Sequence, residues 1–315
     1  MINIRFLPIS IVGLSSLGMG LVTACGVLSD KQSLTTESSE LVAYRPYAGQ
    51  YPNFTLVIDE RFDQFDSQLW SKGDGAFGET NCRFQAQGVQ INNGEMQLVI
   101  RKEAIPESWS VDHQNVMPSS PYSCGELRSK AEYLYGRFEA RIRTPHPNVA
   151  SGYISSLFTF RNKPSENYQW REIDVELEGM RPTKFQSNLI LGQGTYNWSD
   201  TRLWGAFEQI IEIGETSQWK VYAVEWTPDS IKWFVDGQLV RVLDRGEVAQ
   251  KQHDLPHDRK ISIPDLPAQI MMNFWIPNPS IAPVFGGPTD RNQYPLVAQY
   301  DWFRYYAYTP GANVY

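Results

Sequence analysis

Between Tyr168 and Gly179 the chain reads Tyr-Gln-Trp-Arg-Glu-Ile-Asp-Val-Glu-Leu-Glu-Gly. Acids take every second position from Glu172 to Glu178, with Ile173, Val175 and Leu177 between them. On a β-strand this alternation puts Glu172, Asp174 and Glu176 on one face and the aliphatics toward a core. Like charges side by side repel and are costly to desolvate, so packing supplies no reason for the row. A solvated face would more often mix Lys, Thr and Ser among the acids. The row reads as a chemical site on a strand.

The rest of the chain agrees with a strand-built fold. In Gly136–Arg143, Phe138, Ala140 and Ile142 alternate with Arg137, Glu139 and Arg141, which predicts a half-buried strand with its charges toward water. Asp236-Gly237 stands between two alternating runs and signals a tight hairpin, and Asn92-Asn93-Gly94 marks another turn. Long amphipathic helices and fixed-period repeats are absent. From Phe54 onward these segments predict an all-β fold, a two-sheet antiparallel sandwich. Trp 10, Tyr 16 and Phe 15 suit both a β-rich core and stacking platforms for sugar rings.

A net charge of −7 with no basic stripe argues against a nucleic-acid partner and favours a neutral substrate. Arg5 precedes the mostly apolar run Phe6–Val22, and Leu21-Val22-Thr23-Ala24-Cys25 follows the pattern of a bacterial lipobox. Residues 1–24 therefore read as a lipoprotein signal peptide. Residues 25–52 read as the lipidated Cys25 with a flexible polar tether, and 53–315 as one domain. The alternative, a short membrane anchor, is opposed by Pro8 and the serines in the run. The expected location is the cell envelope, reached by export and held by the lipid. If the cell is Gram-negative, Gly26 in place of an Asp points to the outer membrane. Cys82 and Cys124 are left as a pair in an oxidising compartment, where a disulfide is the natural assignment and two buried thiols the alternative. The scattered histidines give no zinc spacing.

An acid row suits glycosidic cleavage, which needs one ionised carboxylate to attack the anomeric carbon and one protonated carboxyl to release the leaving oxygen. Retaining enzymes hold the two about 5–5.5 Å apart. Glu172 and Glu176 stand about 13 Å apart along an extended strand, so their side chains must lean together over a concave sheet. Asp174 between them can hydrogen-bond to the nucleophile and raise the acid's pKa.

Glu-Ile-Asp-Val-Glu resembles the signature of glycoside hydrolase family 16, in the unbulged form of licheninases (β-1,3-1,4-glucanases); laminarinase-type members carry one more residue before the last Glu. The likeness runs from about residue 54 to 308, through Asp59-Glu60-Arg61-Phe62, Asn81-Cys82, Cys124-Gly125-Glu126, Ser230–Gln238, Ile270–Trp275 and Tyr300–Tyr305. It implies a β-jelly-roll whose concave face forms an open cleft. Glu172 would be the nucleophile, Asp174 its assistant and Glu176 the general acid/base of an endo-acting β-glucan hydrolase. Trp170, Glu126, Arg128, Asn188, Asn273 and Trp275 would bind the polysaccharide, and Cys82–Cys124 would be the family disulfide. No catalytic cofactor is implied, but Arg61, Gly94 and Asp301 match the ligands of a structural Ca²⁺. A monomer is expected.

The chain departs from the licheninase pattern at Ile190, where a cleft tyrosine is expected. It departs again in the shorter loop Gly73–Thr80, at Ile276-Pro277-Asn278-Pro279, and in an apparent insertion over 103–122. These changes leave the linkage open. They admit a transglycosylase, or an enzyme trimming the cell's own exopolysaccharide. A non-catalytic carbohydrate-binding lipoprotein would be expected to lack one acid of the row, and none is missing.

Overall fold

The computed structural model describes residues 48–109, 116–117, 119–161, 169–193, 205–251 and 263–311. The expected signal peptide, Cys25, the expected tether to residue 47, and residues 110–115 and 118 of the apparent insertion lie outside them. In chain order the strands are β1 (Phe54–Glu60), β2 (Trp70–Lys72), β3 (Arg83–Phe84), β4 (Val89–Asn92), β5 (Glu95–Ile105), β6 (Ser108–Trp109), β7 (Val116–Met117), β8 (Ser120–Tyr133), β9 (Gly136–Arg143) and β10 (Ile154–Arg161). They continue with β11 (Gln169–Glu178), β12 (Lys184–Gln193), β13 (Gly205–Ala206), β14 (Gln209–Glu212), β15 (Lys220–Trp226), β16 (Ser230–Val235), β17 (Gln238–Asp244), β18 (Ala268–Trp275) and β19 (Leu296–Tyr308). The α-helices among the described residues are two short ones, Arg245–Lys251 and Ala282–Phe285.

Two curved antiparallel sheets face each other, the jelly-roll-like sandwich expected. The inner sheet runs β2, β8, β18, β10, β11, β12, with β13 and β14 along the far edge of β12. The outer sheet runs β17, β16, β15, β9, β19, and β1 and β5 share the other side of β19. The sheets join where β5 passes from β19 (Met96–Ile100) to the start of β8 (Arg101 onward).

Alternation builds the core. Ile173, Val175 and Leu177 of β11 are fully buried and meet Phe138, Ala140 and Ile142 of β9 and Trp233 of β16 in one apolar cluster. Each such side chain contributes roughly 1.5–3 kcal/mol. The Asp236-Gly237 hairpin forms as predicted, with φ 48° and 76°, both in the left-handed region that a tight turn between twisted strands requires. Asn93 and Gly94 do the same between β4 and β5, with φ 53° and 72°.

One expectation needs correction. Arg137 and Glu139 of β9 are buried, though alternation placed them toward water. Tyr51, read from sequence as tether, lies over them: its ring is 3.8 Å from the Arg137 guanidinium and its hydroxyl donates to Glu139 at 2.9 Å. Arg137 also pairs with Glu139 at 3.0 Å and with Glu225 at 3.0 Å, so no charge is buried alone. The folded domain thus includes the chain's approach to Phe54.

Candidate active site

The acid row lies mid-sheet. Between β10 and β12 the register of β11 runs without a shift from Arg171 to Glu176, so the row carries no bulge. Cross-strand pairing then lays out the cleft floor. One line of partners runs Gln186, Glu176, Ser156, Asn273, Glu126; the next runs Asn188, Asp174, Phe158, Met271, Arg128. A third runs Ile190, Glu172, Phe160, Gln269. Directly opposed residues share a face, so the residues expected from sequence on β8, β11, β12 and β18 come together on one surface.

The three carboxyls differ in their hydrogen bonds. Glu172 accepts from Trp170 Nε1 at 2.6 Å and shares a second hydrogen bond with Asp174. Glu176 accepts from Gln186 Nε2 at 2.6 Å. Burial raises all three pKa values. For Asp174 the charges of Glu172 and Glu176 add to burial, holding it well above the usual carboxylate range. For Glu172, burial pushes the value up to about 7 against the two hydrogen bonds, with a contribution from the charge of Glu79. Glu176 is pushed up to about 8 by burial, then by the charges of Glu178 and Glu172, with Gln186 opposing. The arrangement favours negative charge on Glu172 and a proton on Glu176.

Around the row sit the groups a sugar chain would meet. Trp170 is partly exposed, its ring edge-on to Phe160 with centroids 5.5 Å apart. Glu126 is buried; it pairs with Arg128 Nε at 2.6 Å and lies 3.5 Å from Asn273 Nδ2, while Asn273 Oδ1 is buried without a partner. A Cβ at Gly73 would stand 2.5 Å from Glu126 Oε1, so the loop passes over this carboxyl only as glycine. Asn188 spends its Oδ1 on backbone N–H groups of Leu189 at 2.9 Å and Phe207 at 3.0 Å, bracing the floor beside Asp174.

Trp275 is placed differently from expectation. It is buried beneath Phe77, centroids 4.9 Å apart, and Phe77 is the exposed ring at that end of the cleft. Phe77 belongs to the shortened loop, which is zipped to the segment after β18. Asn81 N donates to Ile276 O at 2.7 Å, Asn278 N to Glu79 O at 2.8 Å, and Asn278 Nδ2 to Gly78 O at 2.7 Å. Cys82 and Cys124 form the expected disulfide, with Cα atoms 5.9 Å apart, and tie this loop to β8. Sequence reasoning missed Gln186, Phe160 and Phe77. The strand register from Glu176 through the β11–β12 turn was the signal that would have found Gln186.

The calcium set was tested against its donors. Tyr300 pairs with Met96 and Phe303 with Glu60, so Asp301 lies between the strand ends that carry Gly94 and Arg61. Its Oδ2, however, accepts from Arg141 Nη1 at 2.8 Å. Ca²⁺ takes six to eight oxygens; the expected set offers the backbone carbonyls of Arg61 and Gly94 and the Asp301 carboxylate, which a guanidinium already opposes. Among the described residues no group of three or more Asp, Glu, His or Cys side chains is placed to hold a metal ion.

A concave antiparallel sheet carrying three unequal carboxyls and flanking aromatic rings defines a glycoside-cleaving enzyme. The model of Glycosyl hydrolases family 16 matches residues 78–289, and the chain belongs to that family. It is 32% identical to a beta-glucanase of Bacillus amyloliquefaciens over 251 residues, 78% of this chain and 85% of the relative. It is 34% identical to one from Acetivibrio thermocellus, over 78% of this chain and 61% of the relative. A solved lichenase (β-1,3-1,4-glucanase) from a mouse hindgut metagenome superposes with TM-score 0.60 at 29% identity, covering 80% of this chain and 99% of that one. A Thermotoga petrophila laminarinase domain shares the fold at TM-score 0.63 and 20% identity, covering 81% and 98%.

Proposed function

We propose that the protein is a retaining endo-β-glucanase of licheninase type, cutting internal bonds of a β-1,3-1,4-glucan by double displacement. The observation that carries the assignment of roles is the unequal hydrogen bonding of the row: Trp170 and Asp174 both donate to Glu172, whereas acidic neighbours surround Glu176. The unshifted register of β11 through the row and the beta-glucanase relatives support the licheninase reading over a laminarinase one.

In the first step the Glu172 carboxylate attacks the anomeric carbon while Glu176 gives its proton to the departing glycosidic oxygen. The leaving chain carries that proton away and an α-glycosyl ester remains on Glu172. In the second step the Glu176 carboxylate takes a proton from water, whose oxygen displaces Glu172 and restores the β configuration. Asp174 keeps its hydrogen bond to Glu172, easing attack and then departure. Trp170 and Phe160 offer ring surface to the sugar, and Glu126, Arg128 and Asn273 offer hydrogen bonds. The lipid at Cys25 completes the proposal, holding the enzyme at the cell envelope.

Chemical rescue tests the roles. Glu172→Ala should abolish turnover. Glu176→Ala should still react with an aryl glycoside that has a good leaving group, and azide should restore its rate with a β-glycosyl azide as product. Rescue of the Glu172 variant instead, with an α-glycosyl azide, would reverse the assignment.

A further inference from the structure

Glu178 ends the acid row and has no part in the double displacement. It lies on the face of Glu172, Asp174 and Glu176 but is fully buried, in line with Ile154 of β10 and Trp275 of β18. Its Oε2 accepts from Arg181 Nη1, and its Oε1 is buried with no hydrogen-bond partner. The turn that carries Arg181 is fixed at several points. Arg181 N donates to Glu178 O at 2.9 Å, Gly179 N to Tyr153 O at 2.9 Å, and Arg181 Nη2 to Val284 O at 3.0 Å. Burying a carboxylate with an idle oxygen is costly, and an apolar side chain would serve packing better. The site calls for an electrostatic reason.

We propose that Glu178 is a positioning residue for the reaction: a negative charge, held by Arg181 two residues from Glu176 on one strand face, that keeps the proton on the acid/base carboxyl until the leaving oxygen takes it. The proposal rests on Glu176 being the acid/base. Two residues along a strand is about 7 Å, near enough for a strong effect in a desolvated floor. The other groups facing Glu176 are Glu172 and Asp174 on its own strand, Gln186 on β12, Glu208 ahead of β14, and neutral Ser156 on β10. After burial, the charge of Glu178 is the largest influence raising Glu176. Burial pushes Glu178 itself up to about 7, so its charge develops on the alkaline side, where Glu176 would otherwise lose its proton.

The test is a direct titration. The full-length protein, carrying Glu labelled with ¹³C at the carboxyl carbon, is titrated by NMR as wild type, E178Q, E178L and E178D, with E176Q identifying the Glu176 resonance. In E178Q and E178L the Glu176 titration should move down by at least about half a pH unit, and E178D should retain the wild-type position. The alkaline limb of kcat/KM should move with it. An unmoved Glu176 titration in the folded neutral variants would overturn the proposal; E178L serves if E178Q does not fold. Undiminished glucan cleavage by E176Q would instead refute the acid/base assignment, a failure that the titration itself cannot produce.

Discussion

Trp233 reaches across the core from the outer sheet and donates its indole N–H to the backbone carbonyl of Asp174 at 2.9 Å. The central residue of the acid row is thereby held from behind as well as by its strand neighbours. Trp233→Phe keeps most of the buried ring but orphans that second acceptor bond. It should destabilise the domain by about 1–3 kcal/mol and lower kcat more than it changes KM. Denaturant unfolding and steady-state kinetics on a mixed-linkage glucan check both.

Trp170 and Asp174 act on Glu172 in the same sense, each favouring its ionised form. Removing one donor should therefore raise the Glu172 pKa. In Trp170→Phe the acid limb of the kcat/KM profile should shift to higher pH, because in the proposed mechanism Glu172 attacks in its ionised form. A limb that stays in place or moves down would show that this indole does not set the charge on Glu172.

The row costs stability at neutral pH. Glu176 ionises near its ordinary value when unfolded, but at about 8 when folded. Between these pH values the folded state binds more protons, so unfolding becomes easier as pH rises. Glu176→Gln removes this loss. Relative to wild type, the variant should gain on the order of 1–3 kcal/mol in going from pH 4.5 to pH 8. Thermal unfolding across that range measures it, and a gap that stays constant would contradict the raised value.

The proposed anchor makes a separate demand. Lipid on Cys25 should send the mature protein into the detergent phase, and Cys25→Ser should leave it soluble or unprocessed. Mass spectrometry of the mature N-terminus decides the matter, and an unmodified cysteine there would exclude the anchor.

The acid row, the two hairpins and the disulfide were legible in the sequence because each depends on residues close together or on a short list of partners. The burial of Arg137 and Glu139 was not, since it depends on Tyr51 and Tyr306, far away along the chain. Trp275 was read as a polysaccharide-binding residue, but its cover, Phe77, comes from a loop with no periodicity to announce it. The ion pair of Asp301 with Arg141 was not legible, because the guanidinium arrives from a strand whose register the sequence does not print.

The zipped loops at one end of the cleft bear on how such an enzyme is redesigned. Residues 78–81 and 276–278 exchange backbone hydrogen bonds with each other, while the acid row is locked into the ladder of the inner sheet. A transplant of either loop alone from a relative would strand the donors of its partner. Moved together as one cassette, with Cys82 and Cys124 kept as its fastening, they would change the wall a polysaccharide meets and leave the chemistry untouched. New linkage preferences in this scaffold are therefore to be sought by swapping matched pairs of loops.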